Sequence, residues 1–284
     1  MIRTAGLDVG ANYTKAIVLD ESRQCLARVL VPTGFNLAGA ATKAYQAVLE
    51  EAGLEPAAIS YVASTGYGRY VVPFRDIQIT ELTCHGRGTV FLFPEVRTVL
   101  DVGGQTVKAM RVDERGRVRS FRLNDKCAAG TGAFLEKTVR YMGYEPDAIA
   151  DLAMASQDPV TISSVCAVFA ESEVINHLTD GRRAEDIMYG AVLSLAGRSL
   201  QLMKRVGMEP AYACVGGMSR NLAFVRALES KLGKPVQVPD DAMGHFAGAL
   251  GAGLLALDRV AKLQASGEWE QRALGETSPA VLAS

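Results

Sequence analysis

The sequence lacks several things that would place it quickly. It has no CxxC pair, and its five cysteines stand apart at positions 25, 84, 127, 166 and 214. An odd, scattered set is not a disulfide framework. It lacks charge of one sign: 30 Lys and Arg against 31 Asp and Glu leave a net charge of −1. Such a surface has no general pull toward nucleic acid or anionic lipid, so neither is an expected partner. It lacks a long apolar run; the longest, residues 247–257, is too short and too glycine-rich to span a bilayer. Its first residues, MIRTAGLDVG, carry no basic segment and no apolar run of a signal peptide, so the cytoplasm is the expected compartment. What remains is a chain of 284 residues, 49% hydrophobic and 21% charged, with 28 glycines. Those are globular proportions, and the length suggests about two domains.

The chain repeats itself. Residues 7–21 read LDVGANYTKAIVLDE and residues 100–114 read LDVGGQTVKAMRVDE, eight identities in fifteen at an offset of 93. Each copy reads as a buried strand (2–9; 96–102), a glycine turn, a second strand (14–19; 107–112), a polar turn and a third strand (25–31; 118–123). Residues 39–53 then read as a helix and 59–63 as a strand. Two long units predict duplicated α/β domains rather than a solenoid. The expected boundaries are 1–95 and 96–242, with a helix over 243–260 packing back on the first half and a tail over 262–284.

The repeated turn has a chemical meaning. Gly10 and Gly103-Gly104 leave backbone N–H groups bare for a phosphate. Asp8 and Asp101 would repel a phosphate directly, but can face it through Mg²⁺ and its water. A single Asp-Gly hairpin is an ordinary turn. Two matched copies point to a shared metal–nucleotide. Downstream, AYACVGG over 211–217 is a strand ending in Gly216-Gly217, followed by a helical stretch over 222–232. That is a place for a ribose or flat ring to lie against backbone.

This order of segments resembles the actin, Hsp70 and sugar-kinase ATPase superfamily. The resemblance implies duplicated ribonuclease-H-like α/β domains with a nucleotide cleft between the halves. TGYGR at 65–69, ELTCH at 81–85, DVGGQ at 101–105, NDKCAAGTG at 124–132 and VFAESEVI at 168–175 are more specific. They resemble the activator ATPases of 2-hydroxyacyl-CoA dehydratases, relatives of the benzoyl-CoA reductase ATPase subunits, over about residues 5–258. The resemblance implies an ATP-dependent electron donor: a homodimer bridging one [4Fe-4S] cluster through Cys127 and Cys166 of each subunit. It implies a ferredoxin or flavodoxin as electron source, and a dehydratase or a benzoyl-CoA reductase-like enzyme as acceptor. Both cysteines precede helical runs, where the helix N-terminus favours thiolates. Cys25 and Cys214 are expected as small buried hydrophobes, and Cys84 as structural or near the cluster.

The site roles follow on matching positions. Asp8 and Asp101 contact Mg²⁺ water; Gly10, Ala11, Asn12, Gly103 and Gly104 meet the phosphates of ATP or ADP. Lys15 neutralises phosphate or is structural. Gln105 orients the attacking water, and Gly216 and Gly217 pack the adenosine. Glu171 and Glu173 read equally as a solvated helix face or as part of the dimer or nucleotide site. The chain departs from the family at Ala11-Asn12-Tyr13, at Thr106 and at Ala133. Two competing readings stand beside this one: a small-molecule kinase of the same fold, and a non-catalytic nucleotide-binding scaffold.

Overall fold

The duplication governs the architecture. The computed structural model describes residues 1–124, 131–162 and 167–269. The chain divides into two units, one of Met1–Leu92, Arg115–Arg117 and residues from Phe246 onward, the other of Phe93–Glu114 and Val118–His245. The first holds β1 (Arg3–Val9), β2 (Tyr13–Asp20), β3 (Cys25–Pro32), β4 (Tyr61–Thr65) and β5 (Ile77–Gln78) in the order β3-β2-β1-β4-β5. The second holds β6 (Thr98–Val102), β7 (Val107–Val112), β8 (Val118–Asn124), β9 (Tyr212–Val215) and β10 (Val236–Gln237) in the order β10-β9-β6-β7-β8. These are the same arrangement. In each, the first strand runs antiparallel to its hairpin partner and parallel to the strand on its other side. Even the irregularities match: the register slips at Val18/Leu19 and at Arg111/Val112, positions 93 apart.

In the first unit, α1 (Leu37–Ala52) connects β3 to β4. It starts where the Asn36 side chain accepts from the Gly39 N–H, and it stops at Gly53 in the left-handed region. Its buried residues, Ala40, Ala41, Ala44, Tyr45, Val48 and Leu49, recur at helical spacing and cover β1–β3. Tyr45 stacks on Phe74 with ring centroids 4.5 Å apart. A further packed cluster joins α2 (Glu81–Leu92) to α8 (Ala247–Ala265) through Cys84, Ala252 and Ala256. The two helices meet backbone to backbone. A Cβ on Gly251 would run into the Cys84 carbonyl oxygen. Gly251→Ala is therefore expected to destabilise by about 2 kcal/mol, because overpacking against rigid backbone outweighs the helix propensity gained. Urea unfolding measures it, and an unchanged midpoint would contradict this close approach.

The second unit packs α3 (Gly132–Tyr141), α4 (Ile149–Met154), α5 (Ala167–Thr179), α6 (Ala184–Lys204) and α7 (Leu222–Leu232) around its sheet. Its core runs from Leu100 and Val102 on β6 to Leu135, Ile187, Leu195 and Phe224 on the helices. At the start of α6 the buried Asp186 carboxylate accepts from Ser156 Oγ at 2.8 Å and from the N–H groups of Gln157 and Asp158 at 3.0 and 2.9 Å. The N–H of Asp158 leads in holding that carboxyl below the usual range. Among the described residues, no helix is long and apolar enough to cross a membrane.

Candidate functional site

Two hairpin turns, one per unit, carry the same constellation. β1 ends in Asp8-Val9, and the Gly10 N–H closes the turn on the Tyr13 carbonyl at 3.2 Å. Asp8 stands directly across from Lys15 in the ladder. The pairing brings Lys15 Nζ to 3.2 Å from Asp8 Oδ2. On its other side Asp8 is in register with Thr65 of β4, and Gly66 follows with φ +90°. A Cβ on Gly66 would stand 2.5 Å from Asp8 Oδ1 and 2.5 Å from the Val9 carbonyl oxygen. Only glycine satisfies both that dihedral and that approach.

The second copy repeats each contact. The Gly103 N–H bonds the Thr106 carbonyl at 2.9 Å. Asp101 stands across from Lys108, whose Nζ is 2.9 Å from Asp101 Oδ2 and 3.1 Å from Thr106 Oγ1. Asp101 is in register with Val215 of β9, and Gly216 follows with φ +84°. Its Cβ would stand 2.5 Å from Asp101 Oδ1 and 2.6 Å from the Val102 carbonyl oxygen. Gly216 thus serves its own carboxylate as well as its own turn. Asp8 and Asp101 are both buried. Ala11 and Gln105 at the turn tips are exposed, with Asn12, Gly103 and Gly104 half-buried; the Gly10 and Gly103 N–H groups, expected to be bare, are instead spent on closing their own turns. Gly66 was legible only as part of TGYGR; its equivalence to Gly216 emerges from the matched registers.

The diglycine turn is built in the second unit. The Gly216 N–H donates to the Gly244 carbonyl at 2.8 Å, and Ser219 Oγ donates to the Gly216 carbonyl at 2.8 Å. A 3₁₀ turn over Gly217–Arg220 leads into α7, which Asn221 caps by accepting from the Phe224 N–H at 2.9 Å. The His245 ring lies against Gly217, with Cε1 3.4 Å from the point a Cβ would occupy.

The second turn is tied to α3. The Gly132 N–H donates to the Gly103 carbonyl at 3.1 Å, and the Ala133 N–H donates to the Gly104 carbonyl at 2.9 Å. The first N–H groups of a helix need partners outside it, and here the turn supplies them. Glu171 on α5 joins the same assembly, 2.7 Å from Lys137 Nζ and 3.2 Å from Tyr141 Oη, both on α3. It bridges two helices and is not simply a solvated residue. That bond raises the Lys137 ammonium above its usual range. Glu173 is half-buried.

Cys127 and Cys166 lie outside the described residues. The other three thiols all stay protonated at neutral pH. Burial pushes Cys84 up to about 12, with the nearby Asp8 charge acting in the same direction and the Thr65 hydroxyl against it. Burial, followed by the Asp101 charge, raises Cys214 as well. Cys25 corrects an expectation: it is exposed, because it opens β3, an edge strand of its sheet. Partial desolvation still raises its thiol. Among the described residues, no three His, Cys, Asp or Glu side chains gather to enclose a metal. A single lysine-paired carboxylate per turn suits a hydrated Mg²⁺ held through water, which usually keeps several of its own waters.

The comparisons with known proteins agree with this geometry. The family model for the BadF/BadG/BcrA/BcrD ATPase family matches residues 5–256. The chain is 39% identical to the 2-hydroxyisocaproyl-CoA dehydratase activator of Clostridioides difficile, over 92% of this chain and 97% of that one. It superposes with a TM-score of 0.88 on component A of (R)-2-hydroxyglutaryl-CoA dehydratase from Acidaminococcus fermentans, at 38% identity, covering 92% of this chain and 100% of that one. The activator of the 2-hydroxyisocaproyl-CoA dehydratase from Clostridium difficile with bound ADPNP gives the same TM-score and identity, covering 93% of this chain and 98% of that one. The fold is that of the actin, Hsp70 and sugar-kinase ATPases. With its paired Asp–Lys turns and a match along nearly its whole length, the chain belongs to the BadF/BadG/BcrA/BcrD ATPase family.

Proposed function

We propose that this protein is an ATP-dependent electron activator. It takes an electron from a ferredoxin or flavodoxin and passes it, through one [4Fe-4S] cluster shared by a homodimer, to a 2-hydroxyacyl-CoA dehydratase or a benzoyl-CoA reductase-like enzyme. The observation that carries the reading is the tie between turn and helix. The Gly103 and Gly104 carbonyls accept the first N–H groups of α3, and α3 begins a few residues after Cys127. A nucleotide that alters this turn therefore alters the start of α3 directly. The names of the dehydratase activators to which the chain is similar support the same assignment.

Each residue has a role in that reading. Asp8 and Asp101 hold Mg²⁺ through its water, with Lys15 and Lys108 fixing the carboxylates. Gly10 and Gly103, whose own N–H groups close their turns, give the phosphates a close approach, and the backbone of Ala11, Asn12 and Gly104 receives them. Gln105 orients the attacking water, since an amide both donates and accepts. Gly216 and Gly217 pack the adenosine. Cys127 and Cys166 hold the cluster, and the Glu171 bridge keeps α3 and α5 moving together. When bound, Mg²⁺ supplies charge neutralisation at the phosphates and the cluster supplies a one-electron store. ATP biases the protein only through tighter binding to one of its states.

Anaerobic purification tests the reading. A brown dimer that hydrolyses ATP and, with a reductant, activates a 2-hydroxyacyl-CoA dehydratase is the expected result. A colourless protein that phosphorylates a sugar or carboxylic acid would overturn it.

A further inference from the structure

The start of α3 is held from outside the helix. Thr131, which precedes it, makes no side-chain cap. The first N–H groups of a helix then need partners elsewhere, and two of them find the Gly103 and Gly104 carbonyls at 3.1 and 2.9 Å. A third neighbour comes from the diglycine turn. Gly132, the first residue of α3, is buried. A Cβ there would stand 3.4 Å from Met218 Cγ, 3.5 Å from Met218 Sδ and 3.3 Å from the Gly103 carbonyl oxygen. The Met218 thioether thus lies against the bare Cα of Gly132, beside the same carbonyl that the Gly132 N–H bonds.

Met218 is anchored at its other end. It follows Gly217 in the 3₁₀ turn, where its carbonyl accepts from the Asn221 N–H at 3.0 Å. The next residue, Ser219, donates to the Gly216 carbonyl from both its N–H, at 3.2 Å, and its hydroxyl, at 2.8 Å. The Met218 side chain packs on the core of the second unit. A shift at Gly216 or Gly217 therefore moves Met218 as part of a bonded turn. Close-packed side chains transmit such shifts, and Gly132 has no side chain to absorb this one.

We propose that Met218 is a positioning residue that carries adenosine binding at the diglycine turn to the start of α3. The helix then answers to both ends of the nucleotide: to the phosphates through the Gly103 and Gly104 carbonyls, and to the adenosine through the Met218 thioether. This inference rests on the reading that puts the phosphates at Gly104 and the adenosine at Gly216 and Gly217.

Hydrogen exchange of the α3 amides tests it, on the whole protein purified anaerobically, with and without saturating Mg²⁺ and ADP. Exchange follows local opening, so the ratio of the two rates reads how far the nucleotide steadies α3. ADP affinity by calorimetry is measured beside it. The wild-type protein is expected to exchange more slowly with ADP bound. Altering a residue on a coupling route changes the coupling by about 2–30-fold. In Met218→Ala the ratio is expected to fall by a factor in that range, with ADP affinity changing far less. A merely structural Met218 would lower the melting temperature and speed exchange with and without ADP, leaving the ratio as it was. Met218→Leu keeps an apolar side chain of similar volume and is expected to retain most of the ratio.

A Met218→Ala protein that binds ADP and keeps the wild-type ratio overturns the proposal. So does a Met218→Leu protein as deficient as Met218→Ala. The electron-activator reading fails separately. A colourless chain that transfers no electron, yet shows the ratio and its loss in Met218→Ala, removes that reading and leaves the role of Met218. A wild-type protein whose α3 does not respond to ADP overturns the role of Met218 together with the tie between turn and helix.

Discussion

Asp8→Asn and Asp101→Asn are each expected to lower ATP turnover by about 10²–10³-fold, the scale of removing one preorganised electrostatic contact from a reacting phosphate or oxyanion. The amide has the shape of the carboxylate, but it loses the charge and turns one acceptor oxygen into a donor. The contrary expectation is that each Asp–Lys pair is a structural ion pair. Stability separates the two. Breaking a buried pair leaves an uncompensated charge and costs about 3–5 kcal/mol. Lys108 is 10% exposed in its side chain and Lys15 16%, so the stranded lysine should cost more in the second unit than in the first. Part of the Lys108 charge is still met by Thr106 Oγ1 at 3.1 Å. A double variant, Asp101→Asn with Lys108→Met, removes both charges and should recover much of the stability. If turnover recovers with it, the pair is structural. If turnover stays low in a well-folded protein, the carboxylate acts on the nucleotide. ATPase rates normalised to the folded fraction from urea titration decide between these outcomes.

The duplication made much of this legible in advance. The offset of 93 between the two LDVG segments carries into β3 and β8, which begin at Cys25 and Val118, and into the paired register slips. Identical short-range patterns fold to identical hairpins because strand alternation and turn glycines act locally. The boundaries of α7 were also readable, since Asn221 caps its start and Gly233 ends it in the left-handed region. Less legible were features that depend on parallel pairing. Gly66 and Gly216 lie far from Asp8 and Asp101 in sequence, and only the β1·β4 and β6·β9 ladders bring them together. The long helix α6 escaped notice because its apolar residues are spread around it: Ile187, Met188, Ala191, Val192, Leu195, Ala196 and Leu200 are all buried. A helix enclosed on most sides lacks the one-faced pattern that betrays a surface helix. Cys25 misled for the opposite reason. It lies in an apolar-looking strand, but that strand is at a sheet edge, which sequence alone does not reveal.

Cys127→Ser and Cys166→Ser are each expected to abolish cluster binding and electron transfer. ATP hydrolysis should survive in both. Serine is close to isosteric with cysteine but is a poor ligand for iron, and four thiolates are needed for a [4Fe-4S] site. The three remaining cysteines offer no substitute. Cys84 and Cys214 are fully buried thiols held in the protonated form, and Cys25 sits exposed on an edge strand with its thiol also raised. A thiolate, not a thiol, ligates metal. Cys84→Ser should therefore leave the iron content unchanged. Iron and acid-labile sulfide per folded dimer, with visible absorbance, measure all three variants. Full iron in either Cys127→Ser or Cys166→Ser would remove that residue from the ligand set. The survival of hydrolysis matters as much. The two hairpin turns, the Asp–Lys pairs and the diglycine turn all lie in described parts of the chain, outside the segments that carry the two cysteines. On the proposed reading, what would join them to a cluster is the pair of N–H bonds from α3 to the Gly103 and Gly104 carbonyls and the Glu171 bridge from α5. Loss of the cluster with retention of ATPase would show that these contacts couple two separable machines. Loss of both together would mean that the cluster is needed for the nucleotide site itself, and that the coupling is far tighter than two backbone hydrogen bonds and one ion pair imply.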